Sequence, residues 1–290
     1  EGKTGLQKGD YLFLQRFLDS TKANLFFAKG IIMVEGDAEN ILIPVIADIL
    51  GYPLEKYGIS VVNVGSTAFL RYSRIMVRKD GSTIGIPVSV ITDCDVRPYD
   101  IDEETKERKL NEKIFESAQA EEEKNKKYTN GSVRGFTSPR WTLEYCIALS
   151  CFSEDFHKSV HYGKKILNAR EYISLTEEKI IEANQEMEEE NNQWNDLPDW
   201  EKAYEIYNLM LDGDGKSSLK AIVAQCLASV LRWKMSVIPE QFRQEKMFDL
   251  DLYRMKIADQ KKAELKSMIE RDQFLSYIVK AIKYAAGEAI

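Results

Sequence analysis

The chain has 290 residues, 44% of them hydrophobic, enough to bury one substantial core and a second smaller one, so one or two domains are expected. The 47 acidic against 40 basic side chains leave a formal net charge of −7. That balance argues against holding nucleic acid by broad phosphate neutralisation, and any DNA contact then needs bound cations or a local basic surface.

No apolar run approaches the roughly 18–20 residues that cross a bilayer, and the opening EGKTGLQKGD lacks the basic-then-apolar order of a signal peptide. Four cysteines without a CxxC pair do not make a disulfide framework. A cytoplasmic protein with no membrane partner is the expectation.

Taken in chain order, residues 1–29 space Leu12, Leu14, Phe17, Leu18, Leu25, Phe26 and Phe27 as a lead-in helix. Gly30–Val34 (GIIMV) reads as a buried strand, and Glu39–Leu50 as a helix with Pro44 its one irregularity. Ile59–Val64 is a second strand, closed by Gly65 and followed by a helical stretch over Phe69–Val77. Ile86–Thr92 is a third, running into Asp93-Cys94-Asp95. Strands that are apolar nearly throughout and alternate with helices predict an α/β fold with a mostly parallel sheet covered on both faces.

Residues 100–131 are dense in Glu and Lys and read as a solvated helical excursion from the core, ending in a turn at Asn130-Gly131. Ser132–Phe136 is a short β-like piece before a helix near Trp141–Glu144. From residue 151 strand signals vanish. Helices are expected around 173–192, 198–211, 215–233 and 258–288. The expected domains are therefore a lead-in helix 1–29, an α/β domain 30–150 and a helical region 151–290.

Functional groups of an α/β sheet gather at strand carboxyl ends, which point into one crevice. Two such ends are acidic here. Glu35 stands at the first strand-to-helix junction with Glu39 four residues on, and Asp93 and Asp95 end the third strand. If that strand persists, Asp93 and Asp95 face one side and Cys94 the other. Crowded carboxylates repel unless protons or cations neutralise them, and hard divalent ions with oxygen ligands suit that need. Gly36, next to Glu35, leaves room for a sharp turn and a close phosphate. Alone, a DxD is commonly a solvated turn and ExxxE an ordinary helix pair.

Their order is more specific. A strand ending in EGxxE, a second strand-helix unit and a third strand ending in DxD is the pattern of the Toprim domain, shared by topoisomerases, bacterial primases and OLD-type nucleases. The runs FFAKGIIMVEGDAENILIPVIADILG, ISVVNVGSTAF, VITDCD and TLEYCIA resemble the catalytic C-terminal region of the OLD (overcoming lysogenisation defect) family of ATP-dependent endonucleases. The resemblance covers roughly residues 12–150 and, more weakly, 215–230.

It implies a Toprim-type sheet flanked by helices, with two Mg²⁺ or Mn²⁺ ions held by Glu35, Glu39, Asp93, Asp95 and Glu144. Glu35 and Asp93 would be catalytic together with Lys220 as transition-state partner, Lys216 being the alternative. DNA is the implied substrate, in phage defence or DNA processing, and an ATPase domain the implied partner in full-length members; the state of oligomerisation is left open. The phosphate-binding loop GxxxxGK[ST] is absent, since GDGKSS at 213–218 lacks the leading glycine and follows no strand. No ATP site is therefore expected in this chain. Primase-like nucleotidyl transfer and a non-catalytic partner-binding module are the alternatives.

His157 and His161, four apart, make half a zinc site on a helix; without an HExxH glutamate or a cysteine pair they read as two exposed histidines. Tyr99 and Tyr145, near the acidic motifs, read as packing rather than as nucleophiles. Arg71, Arg74, Arg78 and Lys79, like Arg134 and Arg140, suit either a DNA backbone or a solvated surface.

Overall fold

A computed structural model describes residues 3–17, 22–65, 69–80, 82, 84–168, 175–211, 217–236 and 250–290. Four strands, β1 (Gly30–Val34), β2 (Ile59–Asn63), β3 (Val88–Thr92) and β6 (Val133–Thr137), form a sheet in the order β2-β1-β3-β6. Every pairing in it is parallel. β4 (Tyr99–Ile101) and β5 (Arg108–Leu110) make a separate antiparallel ribbon.

β1 is apolar throughout and β2 and β3 are largely so, because both faces of the sheet are covered. Ile31, Met33, Val62, Val88, Val90 and Val133 bury one face against Leu14 of α1 (Lys8–Phe17), Leu25, and Phe69 and Tyr72 of α4 (Phe69–Ser73). Ile32, Val34, Ile91 and Phe136 bury the other against α2 (Asp37–Leu50) and helices from the C-terminal half. Alternation along each strand thus feeds two cores rather than a core and solvent.

The helices after β6 are α6 (Leu143–Leu149), α7 (Ser153–Leu167), α8 (Glu177–Gln193), α9 (Asp199–Leu211), α10 (Ser217–Ser236), α11 (Leu250–Arg271) and α12 (Ser276–Ala285), counting the four-residue α3 (Leu54–Tyr57) and α5 (Ile114–Tyr128) before them. α10 lies against both α2 and α7. α12 rests directly on the sheet. Ser89 Oγ donates to the Ala281 carbonyl at 2.7 Å, and a methyl added at Gly30 would stand 2.0 Å from the Ala285 oxygen. Only a residue without Cβ lets helix and strand approach this closely.

Four features depart from the sequence reading. Residues 100–131 are not one helical excursion: the β4–β5 ribbon precedes α5, and α5 packs on β6 with Ser117 and Tyr128 buried. The helix expected over 69–77 ends at Ser73 and continues as turns. The stretch 258–288 is two helices, because Asp272 Oδ1 accepts the backbone N–H groups of Phe274 and Leu275 and breaks the run between α11 and α12. α7 was not singled out, although Phe156 and Val160 of α7 are fully buried. The start of the helix expected over 215–233 lies outside the described residues.

Candidate metal centre

Parallel pairing sets all four strand carboxyl ends at one edge, with Val34 opposite Asn63 and Thr92 opposite Thr137. The chain leaves that edge through Glu35 and Asp93. Thr92 Oγ1 donates to Glu35 Oε1, so the last residue of β3 aims the first residue beyond β1. Asp93 Oδ1 accepts the N–H of Leu143 at 2.8 Å. That N–H opens α6, where helix donors have no partner within the helix.

Loop contacts keep α6 beside β3. Cys94 N–H donates to Ser138 Oγ, Ser138 Oγ donates to the Arg140 carbonyl, and Asp95 N–H donates to the Trp141 carbonyl. Glu144, in the first turn of α6, is consequently buried on the same side as Asp93. Glu39, one turn into α2, is buried too.

Glu35, Glu39, Asp93 and Glu144 line one cleft of about 350 Å³, together with Lys220 of α10. Lys220 Nζ stands 3.0 Å from Glu144 Oε2. It is the one Lys or Arg among the described residues lining the cleft.

The electrostatics follow from this crowding. Burial, then the charges of Glu144 and Glu35, push Glu39 up from 4.5 to about 7, with its own backbone hydrogen bond and Lys220 opposing. Asp93 borders the open cleft, yet the protein packed around its carboxyl, and after that Glu144, Glu39 and Glu35, hold it well above the usual carboxylate range. For Lys220 burial acts downward, but Glu144 and Tyr207 outweigh it and the ammonium is held above its ordinary value. Five carboxyl groups, Asp37 among them, line the cleft with one ammonium among the described residues, so the cleft needs protons or further cations.

Residues 26–95 match the family described as "Overcoming lysogenization defect protein-like, TOPRIM domain". The chain carries an OLD-like Toprim domain. The match spans β1, α2, β2 and β3 with Glu35, Glu39, Asp93 and Asp95, and stops before Glu144 and Lys220. Those two join the Toprim carboxylates only through packing.

Among solved structures, the chain is similar to the C-terminal region of the Xanthomonas campestris pv. campestris OLD protein, at 21% identity over 84% of this chain and 96% of that one, with a TM-score of 0.40. It is also similar to the C-terminal region of the Burkholderia pseudomallei OLD protein, at 24% identity over 71% of this chain and 89% of that one, TM-score 0.36. No curated protein matches.

Asp95 does not line the Toprim cleft. The strand ends at Thr92, so the alternation that would set Asp93 and Asp95 on one side does not continue. Asp95 takes a left-handed φ of 67° and its exposed carboxylate pairs with Lys124 of α5, which also donates to the Asp93 carbonyl at 2.7 Å. The sequence reading missed Lys124, because the charged run in which it sits resembles a solvated helix.

Gly36 also has a reason other than a sharp turn. Its φ of −143° is ordinary extended backbone, but a Cβ there would meet Glu39 Oε2 at 3.1 Å. Lys216 lies outside the described residues.

Most of the other singled-out residues are engaged elsewhere. Asp10 of α1 holds Arg74 at 3.0 Å and Arg71 at 3.9 Å, and Arg71 lies over the Phe13 ring. Arg134 donates to the Ile290 carbonyl and Arg140 to that of Pro139. Tyr145 donates to the Trp200 carbonyl at 2.9 Å, and Tyr99 packs edge-on to Trp141. His157 and His161 are buried rather than exposed, because Glu186 and Glu190 of α8 cover them. No helix among the described residues is long and apolar enough to cross a membrane, and all four cysteines are free thiols.

Proposed function

We propose that the Toprim cleft is the active site of a metal-dependent DNA endonuclease that hydrolyses phosphodiesters, as the catalytic region of an OLD-family nuclease. One observation carries the reading: Glu35, Glu39, Asp93 and Glu144 converge on a single cleft in which Lys220 is the one Lys or Arg among the described residues. The donor set is all oxygen, which fits hard divalent ions such as Mg²⁺ or Mn²⁺ rather than softer metals. Glu35, Glu39, Asp93 and Glu144 would hold two such ions, with Asp95 available only on release from Lys124. Bound there, the ions supply an activated water and neutralise charge on the scissile phosphate.

The chain's own groups do the positioning. The Thr92 hydroxyl orients Glu35 and the Leu143 N–H orients Asp93. Lys220, held beside the carboxylates by Glu144, would offer a compact point charge to a non-bridging phosphate oxygen. Gly36, lacking a Cβ, leaves room for the Glu39 carboxylate at the rim of the cleft.

DNA is the substrate in this reading, and the chain requires no ATP of its own; an ATPase domain works with it in the full-length protein, in the cytoplasm, in phage defence or DNA processing. Supercoiled plasmid incubated with Mg²⁺, Mn²⁺, Ca²⁺ or EDTA tests the proposal. Nicked or linear product with Mg²⁺ or Mn²⁺, and none with EDTA, is expected. DNA left intact under every metal condition refutes it, and incorporation of nucleotides without cleavage favours the primase-like alternative.

A further inference from the structure

The chain has two histidines, and the Toprim cleft uses neither. They stand one turn apart on α7, so both project from one face. α8 packs beside that face, and its Glu186 and Glu190, likewise four apart, meet them. His157 Nε2 lies 2.6 Å and His161 Nε2 lies 2.7 Å from the same oxygen, Glu190 Oε2. His161 Nδ1 lies 3.1 Å from Glu186 Oε2.

Counting protons narrows what occupies this point. A carboxylate oxygen only accepts, so each imidazole nitrogen facing one must carry a proton or share a cation with it. His161 faces carboxylates on both sides. Without a metal, both contacts need a proton between ring nitrogen and carboxyl oxygen, on a residue that is only 3% exposed. With a metal, Nδ1–H donates to Glu186 and the bare Nε2 is a ligand. A carboxylate behind the second nitrogen is the usual setting of a metal-bound histidine.

Lys165 holds Glu186 in place at 2.7 Å. The His157 ring is stacked on Trp194, with centroids 5.3 Å apart, and turns its Nε2 to the same oxygen.

We propose that His157, His161 and Glu190 bind one borderline divalent cation of the Zn²⁺ class, with Glu186 as the carboxylate behind His161, and that the ion clamps α7 to α8. The three ligand atoms lie within 4.8 Å of one another. Tetrahedral zinc at about 2.0–2.1 Å from N and O ligands sets them about 3.3 Å apart, so each Nε2–Oε2 pair opens by about 0.6 Å when the ion enters. Glu190 is partly exposed, its side chain at 23%, which leaves it that movement and leaves a fourth position for water. Imidazole selects Zn²⁺ over Mg²⁺, so the clamp and the carboxylate cleft take different metals.

The test uses the full 290-residue chain, stripped with chelator and titrated with Zn²⁺ against a chromophoric competitor. Wild type and Asp93→Asn are expected each to take up one tight equivalent and to melt at higher temperature with it. His161→Gln and Glu190→Gln lose both the equivalent and the rise, and excess Mg²⁺ does not compete in the wild type. Far-UV circular dichroism checks that each variant is folded, and His157→Gln replaces any that is not. No tight equivalent in the wild type, or one that persists in the folded variants, overturns the proposal and leaves an imidazolium–carboxylate contact in its place.

Discussion

Lys220 Nζ lies 3.0 Å from Glu144 Oε2, an ion pair between two helices far apart in sequence and, among the described residues, the one ion pair in the cleft. Removing the ammonium leaves Glu144 buried with no counter-charge. In metal-free protein Lys220→Ala should lower stability by about 1–2 kcal/mol, a modest value because the lysine is partly exposed. Divalent ions should restore much of it. Plasmid cleavage should fall on the order of 10²–10³-fold, and unfolding curves with and without Mg²⁺, beside the nicking assay, read both effects.

The raised Glu39 carboxyl makes metal-free stability depend on pH. Its value is 4.5 when unperturbed and about 7 in the folded chain, so between those limits the native state binds more protons than the unfolded one. Stability therefore falls as pH rises through that window, by on the order of 3 kcal/mol if Glu39 titrates alone. Asp93, also raised, acts with the same sign and shares the titration. Urea unfolding in EDTA at a series of pH values should show the decline. Glu39→Gln should flatten it and raise stability at the alkaline end.

Asp93 and Asp95 should separate on substitution. Asp93→Asn keeps an acceptor for the Leu143 N–H and so keeps the fold, but removes a charge from the cleft; cleavage should fall on the order of 10²–10³-fold or further. Glu35→Ala and Glu144→Gln should behave alike. Asp95 is exposed and paired with Lys124, and such pairs contribute at most about 1 kcal/mol. Asp95→Asn should cost no more than about tenfold, the factor equal to 1.4 kcal/mol. Equal losses at 93 and 95, in parallel nicking assays over a range of Mn²⁺, would show that Asp95 is a ligand in the working enzyme.

Thr92→Val should damage the site without damaging the sheet. Valine suits the buried β3 position, but it deletes the hydroxyl that aims Glu35. Losing an outer partner of a metal ligand typically costs about 10–100-fold in metal affinity or activity. The Mn²⁺ concentration giving half-maximal cleavage should rise by that factor while the melting temperature of metal-free protein changes little. An unchanged metal requirement would remove Thr92 from the site.

β1, β2 and β3 were legible because each is a short, mainly apolar and β-branched run, a pattern that local residues set whatever surrounds them. Glu35 and Asp93 were legible for the same reason: each follows directly on such a run. The β4–β5 ribbon was not, because its exposed, charged strands carry no burial pattern to distinguish them from a solvated helix. Asp95 was misaligned with Asp93 because alternation holds only while the strand lasts, and the backbone turns left-handed at that residue.

By itself, then, the sequence determined an α/β fold, the strand ends that bear acids, and the resemblance carried by EGDAE and TDCD. Only the tertiary structure decided which distant groups meet there. β6 pairs with β3, and the loop after it sets Glu144 beside Asp93. α10 packs on α2 and α7, and Lys220 faces the cleft. α8 packs on α7, and Glu190 reaches two histidines that looked solvent-exposed. Short-range periodicity dictates what a segment buries, whereas the partner it buries against is chosen by shape and charge across the whole chain.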